Sequence, residues 1–261
     1  MRKHIPDDKM ILKHNIVEIE TNDVAFTKSD ITPYISQTSN PKFLGMMPLT
    51  WIYYKTENKT DKKFFNWINK TIGKKPVYFS DELKDKSKSQ IEEYLNDIGY
   101  FNSKIYTQIK NNRGIGSVTY DIYPTTPYII DEITYNINDS SIYNYVKNIE
   151  NELPVQKGDI YNAFDLDDER DMITEYLKNN GYYYFTKDYI FMEIDTNFSA
   201  HKANVNIRID NAIDPITLKN ENHKKYYIND IFIYPKGTSL SGLDVDTVHY
   251  SFNLGKRFGD E

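Results

Sequence analysis

Tyr94-Leu95-Asn96-Asp97-Ile98-Gly99-Tyr100 recurs as Tyr176-Leu177-Lys178-Asn179-Asn180-Gly181-Tyr182. The shared phrase is Y-L-x-x-x-G-Y, displaced by 181 − 99 = 82 positions. Each copy closes an amphipathic helical pattern. In the first, Leu83, Ile91, Tyr94, Leu95 and Ile98 fall on one face; in the second, Phe164, Met172, Ile173, Tyr176 and Leu177 do. Apolar residues at i, i+3, i+4 and i+7 are the signature of a half-buried helix. Glycine then supplies the left-handed residue that stops it. Acidic residues open both helices, where the helix dipole favours negative charge: Ser80-Asp81-Glu82 in one, Asp165, Asp167, Asp168 and Glu169 in the other.

A hairpin follows each Gly-Tyr. The first runs from Ser103 to Ile109, turns at Asn111-Asn112-Arg113-Gly114 and returns through Val118-Thr119-Tyr120-Asp121-Ile122. The second runs out over Asp188 to Ile194 and back over Ala203 to Ile209, with a loop from Asp195 to His201. Period-two alternation identifies the strands, and a glycine-bearing turn joins the first pair. A second phrase repeats as well: Tyr128-Ile129-Ile130-Asp131-Glu132-Ile133 resembles Tyr226-Tyr227-Ile228-Asn229-Asp230-Ile231, displaced by 231 − 133 = 98. Between Ser140 and Leu153, Ile142, Tyr145, Val146 and Ile149 share a helical face that Pro154 and Gly158 close. The order is therefore strand, helix, helix, strand, strand over about residues 125–211. The same order reads from Ile16 to Tyr123, with Ile16–Ile19 as first strand, Ser29 to Gln37 as first helix and an insertion after it.

Composition agrees with small modules. Among 261 residues, 39% are hydrophobic and 15% aromatic. That apolar share is too low for one large core, and the aromatic content too high for a disordered chain. Lys and Arg number 32 against 38 Asp and Glu, a net charge of −6. An acidic chain argues against a broad nucleic-acid surface. The absence of Cys removes disulfides, thiolate catalysis and cysteine-ligated metals. Met1-Arg2-Lys3-His4 is basic but no apolar segment follows it, and no run approaches the roughly 18 apolar residues of a membrane span.

The β-α-α-β-β unit, with Gly-Tyr closing its second helix and Y-x-I-x-x-I opening the next, resembles the POTRA domain. The order of Ile5-Pro6-Asp7, Met10-Ile11-Leu12-Lys13-His14-Asn15, Ser39-Asn40-Pro41-Lys42-Phe43-Leu44-Gly45, Gly73-Lys74-Lys75-Pro76-Val77 and Gly99-Tyr100-Phe101-Asn102 is similar to Bacteroidetes members of the Omp85 superfamily. These are relatives of BamA and TamA, including TamA-like lipoproteins. The resemblance implies an α+β fold of tandem POTRA modules, each a three-stranded mixed sheet covered by two helices on one face. It places one module at 1–124, with an aromatic and basic insertion at about 40–76, a second at 125–213 and the start of a third at 222–261. It further implies the periplasmic arm of an outer-membrane assembly or translocation protein, followed by a membrane barrel. Alternating barrel strands and a lipobox cysteine are absent from this sequence, and Gly255–Glu261 reads as a chain continued elsewhere.

Motifs for chemistry are sparse. His4, His14, His201, His223 and His249 are dispersed, so no metal site is expected. Gly114-Ile115-Gly116 precedes a strand and reads as a turn rather than a phosphate cradle. Asp165, Asp167 and Asp168 lack the glycine and closing Glu of a calcium loop. Four N-x-S/T sequons, at Asn58, Asn69, Asn138 and Asn197, read as chance matches in an Asn-rich chain. No catalysis, cofactor, nucleic acid or small-molecule substrate is expected. Partners are. By resemblance, POTRA modules engage unfolded outer-membrane clients or accessory proteins along the strand after the second helix, and join their own C-terminal barrel. Here that edge is Lys187, Tyr189, Ile190, Phe191 and Met192, with a second at Lys104, Ile105 and Tyr106. The insertion offers an aromatic patch of Phe43, Trp51, Tyr53, Phe64 and Trp67, which reads either as packed core or as an exposed surface. Two other readings stand beside the binding arm: a structural spacer, and a fragment of an enzyme whose active site lies further along the chain.

Overall fold

The computed structural model describes residues 5–6, 8–40, 42–43, 47–48, 77–197 and 200–230. The chain divides into a compact unit of Met1–Lys225 and a second of Tyr226–Glu261. The expected third module falls mostly outside the described residues.

The first unit holds two copies of one α+β pattern. In the first copy, β1 (Ile11–Ile19) is followed by α1 (Lys28–Ile31), α2 (Asp81–Asp97), β2 (Lys104–Asn112) and β3 (Ile115–Tyr123). In the second, β4 (Ile129–Ile137) is followed by α3 (Ser140–Ile149), α4 (Ala163–Asn179), β5 (Ile190–Asn197) and β6 (Lys202–Ile209). The last strand of each copy is central: it pairs in parallel with the first and antiparallel with the hairpin partner, giving the orders β1-β3-β2 and β4-β6-β5. Central position requires burial on the helix side, and Val118, Tyr120 and Ile122 in β3, like Val205, Ile207 and Ile209 in β6, are at most 2% exposed.

The repeat extends to single hydrogen bonds. Tyr100 N–H donates to Leu95 C=O and Tyr182 N–H to Leu177 C=O, the six-to-one bond of a Schellman cap. Gly99 and Gly181 take φ of 85° and 96°, the left-handed region glycine enters without a Cβ clash. Near the start of each copy, Phe79 N–H donates to Met10 C=O and Tyr161 N–H to Tyr128 C=O. The helix-side residues are displaced by 161 − 79 = 82 and the strand residues by 128 − 10 = 118. The first copy is thus longer by 118 − 82 = 36 residues between β1 and α2, where the insertion lies. Asn40 fixes both ends of that excursion. Its side-chain amide donates to the Leu12 and Val77 carbonyls at 2.7 and 2.8 Å, and its oxygen accepts from Val77 N–H at 2.8 Å.

Three expectations are corrected. The first helix does not run from Ser29 to Gln37; α1 is one turn, and Thr32–Tyr34 forms a 3-10 turn. Pro33 has no N–H to donate, so the α-helical ladder stops there although Thr32 itself keeps helical dihedrals. The apolar face of α4 is also different. Leu166, Glu169, Ile173 and Leu177 are buried, whereas Phe164 and Met172 are 47% and 42% exposed. A carboxylate in the buried stripe hides its periodicity from a hydropathy reading. Finally, the second hairpin carries longer strands and a shorter loop than expected, while Lys187–Tyr189 is a 3-10 turn and not strand.

The two copies meet at the first cap. Tyr128 N–H donates to Gly99 C=O at 2.9 Å. Phe101 lies edge-on to Tyr128, with ring centroids 4.8 Å apart, and 5.5 Å from Tyr161. A Cβ on Gly99 would stand 2.6 Å from the Tyr161 carbonyl oxygen, so glycine serves here for close approach as well as for its dihedral.

Candidate functional site

β5 has β6 on one side and no described strand on the other. Its register pairs Ile190 with Ile209, Met192 with Ile207 and Ile194 with Val205. Which backbone groups face outward follows from one bond. Asp210 N–H donates to Tyr189 C=O at 2.9 Å, and these residues are the next pair of the same register. Tyr189/Asp210 is therefore a hydrogen-bonded pair, and such pairs alternate along an antiparallel ladder. Phe191, Glu193 and Asp195 turn their N–H and C=O toward β6; Ile190, Met192, Ile194 and Thr196 turn theirs to the open side. The same residues put their side chains on the helix layer, as the alternating burial of β5 shows.

The open side adjoins a groove between β5 and the first half of α4. Its volume is about 360 Å³, and Leu166, Asp167, Arg170, Ile190, Met192 and Ile194 are among its walls. At one end stands an ionic cluster. Arg170 donates from Nε to Ile190 C=O at 3.1 Å, from one terminal nitrogen to Lys187 C=O at 3.0 Å and from the other to Asp167 at 2.9 Å. Lys187 reaches Asp171 at 3.0 Å and Asp167 at 3.4 Å, and its hydrogen bond to Asp171 holds its ammonium above the ordinary lysine range. Ile190 N–H donates to Lys187 C=O, closing the 3-10 turn. Both outward groups of Ile190 are thus engaged, and the unengaged edge begins at Met192.

Of the residues expected at this edge, Ile190, Phe191 and Met192 lie on β5, while Lys187 and Tyr189 lie in the turn before it. Phe191 faces the opposite surface of the sheet, where the Arg208 guanidinium sits 4.4 Å from its ring centre. Arg170 and Leu166 form no part of the sequence expectation. The signal that could have found them is the two-turn step from Leu166 to Ile173 and the one-turn step on to Leu177, which bring Arg170 to the margin of the buried stripe.

The corresponding edge of the first copy is β2. Arg113 and Gly114 have φ of 52° and 80°, the two left-handed residues of a type I′ turn. Such a turn makes the flanking Asn112 and Ile115 a hydrogen-bonded pair, so Ile105, Thr107, Ile109 and Asn111 face outward. Ile105 is buried, whereas Lys104 and Tyr106 are exposed. The groove beside this edge is polar, with Lys88, Glu92, Asn96, Asn102 and Lys104 in its wall. Of the aromatic patch in the insertion, only the backbone of Phe43 is described, in a two-residue strand; Trp51, Tyr53, Phe64 and Trp67 lie outside the described residues.

Two polar features escape a sequence reading. Glu18, Glu20 and Asp121 bring carboxylate oxygens within 4.8 Å of one another on the first sheet. Asp121 already accepts from Gln108 Nε2 at 2.8 Å, and Glu18 and Glu20 are exposed, so the trio reads as a solvated cluster. Glu169 is wholly buried, accepts from Val155 N–H at 3.3 Å through Oε2 and leaves Oε1 without a partner. No described helix is long and apolar enough to cross a membrane.

Residues 128–212 match the POTRA family, described as "Surface antigen variable number repeat". No curated protein matches the chain. Among solved structures, BamA POTRA3-5 of Haemophilus influenzae aligns with a TM-score of 0.40 and 14% identity, covering 79% of this chain and 69% of that one. POTRA1-2 of Omp85 from Anabaena aligns at 0.32 and 8% identity, covering 78% and 98%. CdiB from Escherichia coli aligns at 0.28 and 8% identity, covering 77% of this chain and 27% of that one. The POTRA match thus falls on the second sheet with its two helices, the same strand order that residues 11–123 carry with a 36-residue excess before the second helix.

Proposed function

We propose that this chain is the periplasmic binding arm of an outer-membrane protein assembly or translocation factor. In this reading, the second module takes up an extended segment of an unfolded client or accessory protein on β5. The observation that carries it is the open run at Met192, Ile194 and Thr196 beside an apolar groove. An edge of unpaired N–H and C=O groups is a template for an added strand, and the pockets beside it select alternate side chains. The POTRA match over residues 128–212 supports the reading. The finer placement, beside TamA-like lipoproteins of Bacteroidetes with modules at 1–124, 125–213 and from 222 onward, rests on the N-terminal phrases and the second repeat.

Met192→Pro tests it. Proline removes an outward donor while the pairs at Phe191 and Glu193 keep the inner ladder. Neither Tyr189→Pro nor Phe191→Pro serves, because Tyr189 N–H closes the turn onto Thr186 and Phe191 faces β6. Binding of barrel-derived peptides should weaken markedly, with circular dichroism confirming the fold. Unchanged affinity would remove this edge from the mechanism.

A second reading, the structural spacer, has its own support in the joint between the copies. The Gly99–Tyr128 hydrogen bond and the Phe101, Tyr128 and Tyr161 ring contacts would hold two modules at a set angle. The two readings are compatible, since an arm that presents an edge must also hold it in place.

A further inference from the structure

We propose that Arg170 sets the register of an added strand by withholding the first outward position of β5, so that pairing begins at Met192. This rests on the strand-addition reading above and concerns where on the edge the ligand sits. The ligand it implies is an extended segment with apolar side chains at alternate positions, because the groove beside Met192 and Ile194 is floored by Leu166 and Ile190.

Ile190 would be the natural first rung, since it lies on β5 with its backbone turned outward. Its carbonyl, however, accepts from Arg170 Nε, and its N–H is spent on Lys187 C=O. The same guanidinium holds Lys187 C=O from a second nitrogen, so one planar group braces the strand and the turn before it. Only a fork-shaped cation spans two carbonyls this way; an ammonium offers a single point of charge. Asp167 orients the guanidinium from one turn back on α4, at 2.9 Å.

The first copy shows the unguarded arrangement. The residue 82 positions before Arg170 is Lys88, which points to Glu92 at 3.7 Å. No described side chain bonds the backbone of Ile105, and the 3-10 turn has no counterpart, because Ile105 follows Tyr100 by 5 residues where Ile190 follows Tyr182 by 8. The second copy therefore adds both a three-residue turn and an arginine that clamps it, at the one place where an incoming strand would otherwise start.

The test maps the ligand's footprint on the full chain, using a capped ten-residue peptide alternating Val with Thr and Lys. On the unaltered protein, amide exchange at Met192, Ile194 and Thr196 should slow and that at Ile190 should stay as it was. In Arg170→Ala the freed Ile190 carbonyl should accept from one further peptide N–H, so the protected run of the peptide's own amides should lengthen at the Ile190 end. Affinity should then rise roughly 2- to 13-fold, the yield of one further net hydrogen bond. Arg170→Lys keeps the charge beside Asp167 but cannot span two carbonyls, so it should give the same extension; it decides the matter if the alanine variant does not fold. An arginine that only braces the turn would alter stability and leave the footprint starting at Met192, and that outcome overturns the proposal. A peptide that binds elsewhere, or leaves β5 unprotected in the unaltered protein, overturns the strand-addition reading itself and this one with it.

Discussion

Glu169 should make the second module lose stability as pH rises toward neutrality, and Glu169→Gln should abolish that dependence. The side chain is 0% exposed, in the middle of α4 and against the sheet. Burial penalises its charged form and pushes the carboxyl from the ordinary 4.5 to about 7; the bond from Val155 N–H and the influence of the Tyr135 hydroxyl favour ionisation but do not prevail. Tyr135 is itself pushed well above the usual phenol range, by burial first and then by the carboxylates of Glu169 and Glu150. The unfolded chain ionises this group near pH 4.5, the folded one near 7. Below about pH 4.5 both states are protonated and no penalty exists. Between 4.5 and 7 the unfolded state releases its proton first, so stability falls, and above 7 the full penalty remains. A difference of 2.5 pH units at 1.36 kcal/mol each is about 3 kcal/mol. Glutamine keeps the acceptor for Val155 but brings an amide N–H where Oε1 now lacks a partner, which returns about 1 kcal/mol of cost. The variant should therefore be more stable by about 2 kcal/mol at pH 8, and equal or less stable at pH 4.5. Urea unfolding of both proteins across pH 4.5–8 measures it. A stability difference that does not change with pH would refute the assignment. The first copy carries an internal contrast: Ser87, 82 positions earlier and also 0% exposed, accepts from Ser36 N–H at 3.0 Å with a group that does not titrate.

Gly99→Ala and Gly158→Ala separate dihedral strain from close approach. Both glycines are left-handed, at 85° and 98°, but a Cβ meets the Tyr161 carbonyl at 2.6 Å in one and nothing within 4 Å in the other. Gly158→Ala should cost about 1–2 kcal/mol and Gly99→Ala clearly more, by chemical denaturation; equal losses would mean that the joint yields without cost. His223→Ala should release the segment that leaves the second module. The ring lies 4.8 Å from that of Phe185 and 4.7 Å from that of Tyr189, and Nε2 lies 2.9 Å from Asp210 C=O. Faster amide exchange over residues 212–225 with β4, β5 and β6 unchanged is the expected result, and an unaltered pattern would show that Asp139, which accepts from His223 N–H at 2.9 Å, suffices alone.

The parts of this protein legible from its sequence are those governed by near neighbours along the chain. A Schellman cap is built within six residues, so Leu95 to Tyr100 and Leu177 to Tyr182 declare themselves by glycine and spacing. Val205, Ile207 and Ile209 alternate because a central strand is buried on its helix face whatever lies beyond it. The repeat followed from these, and with it the order of elements. What a side chain or a backbone group faces depends on elements distant in sequence. Phe164 and Met172 satisfy a helical period as well as Leu166 and Glu169 do; the sheet beneath α4 chose the second pair, and it took a carboxylate into the core. The parity of β5 depends on which residue of β6 stands opposite, and a shift of one would have turned Met192 inward and Phe191 to the open side. Arg170 reads as an ordinary surface charge until Ile190 and Lys187, 20 and 17 residues away, present their carbonyls to it. Local spacing determined the modules; long-range pairing decided which atoms they leave open.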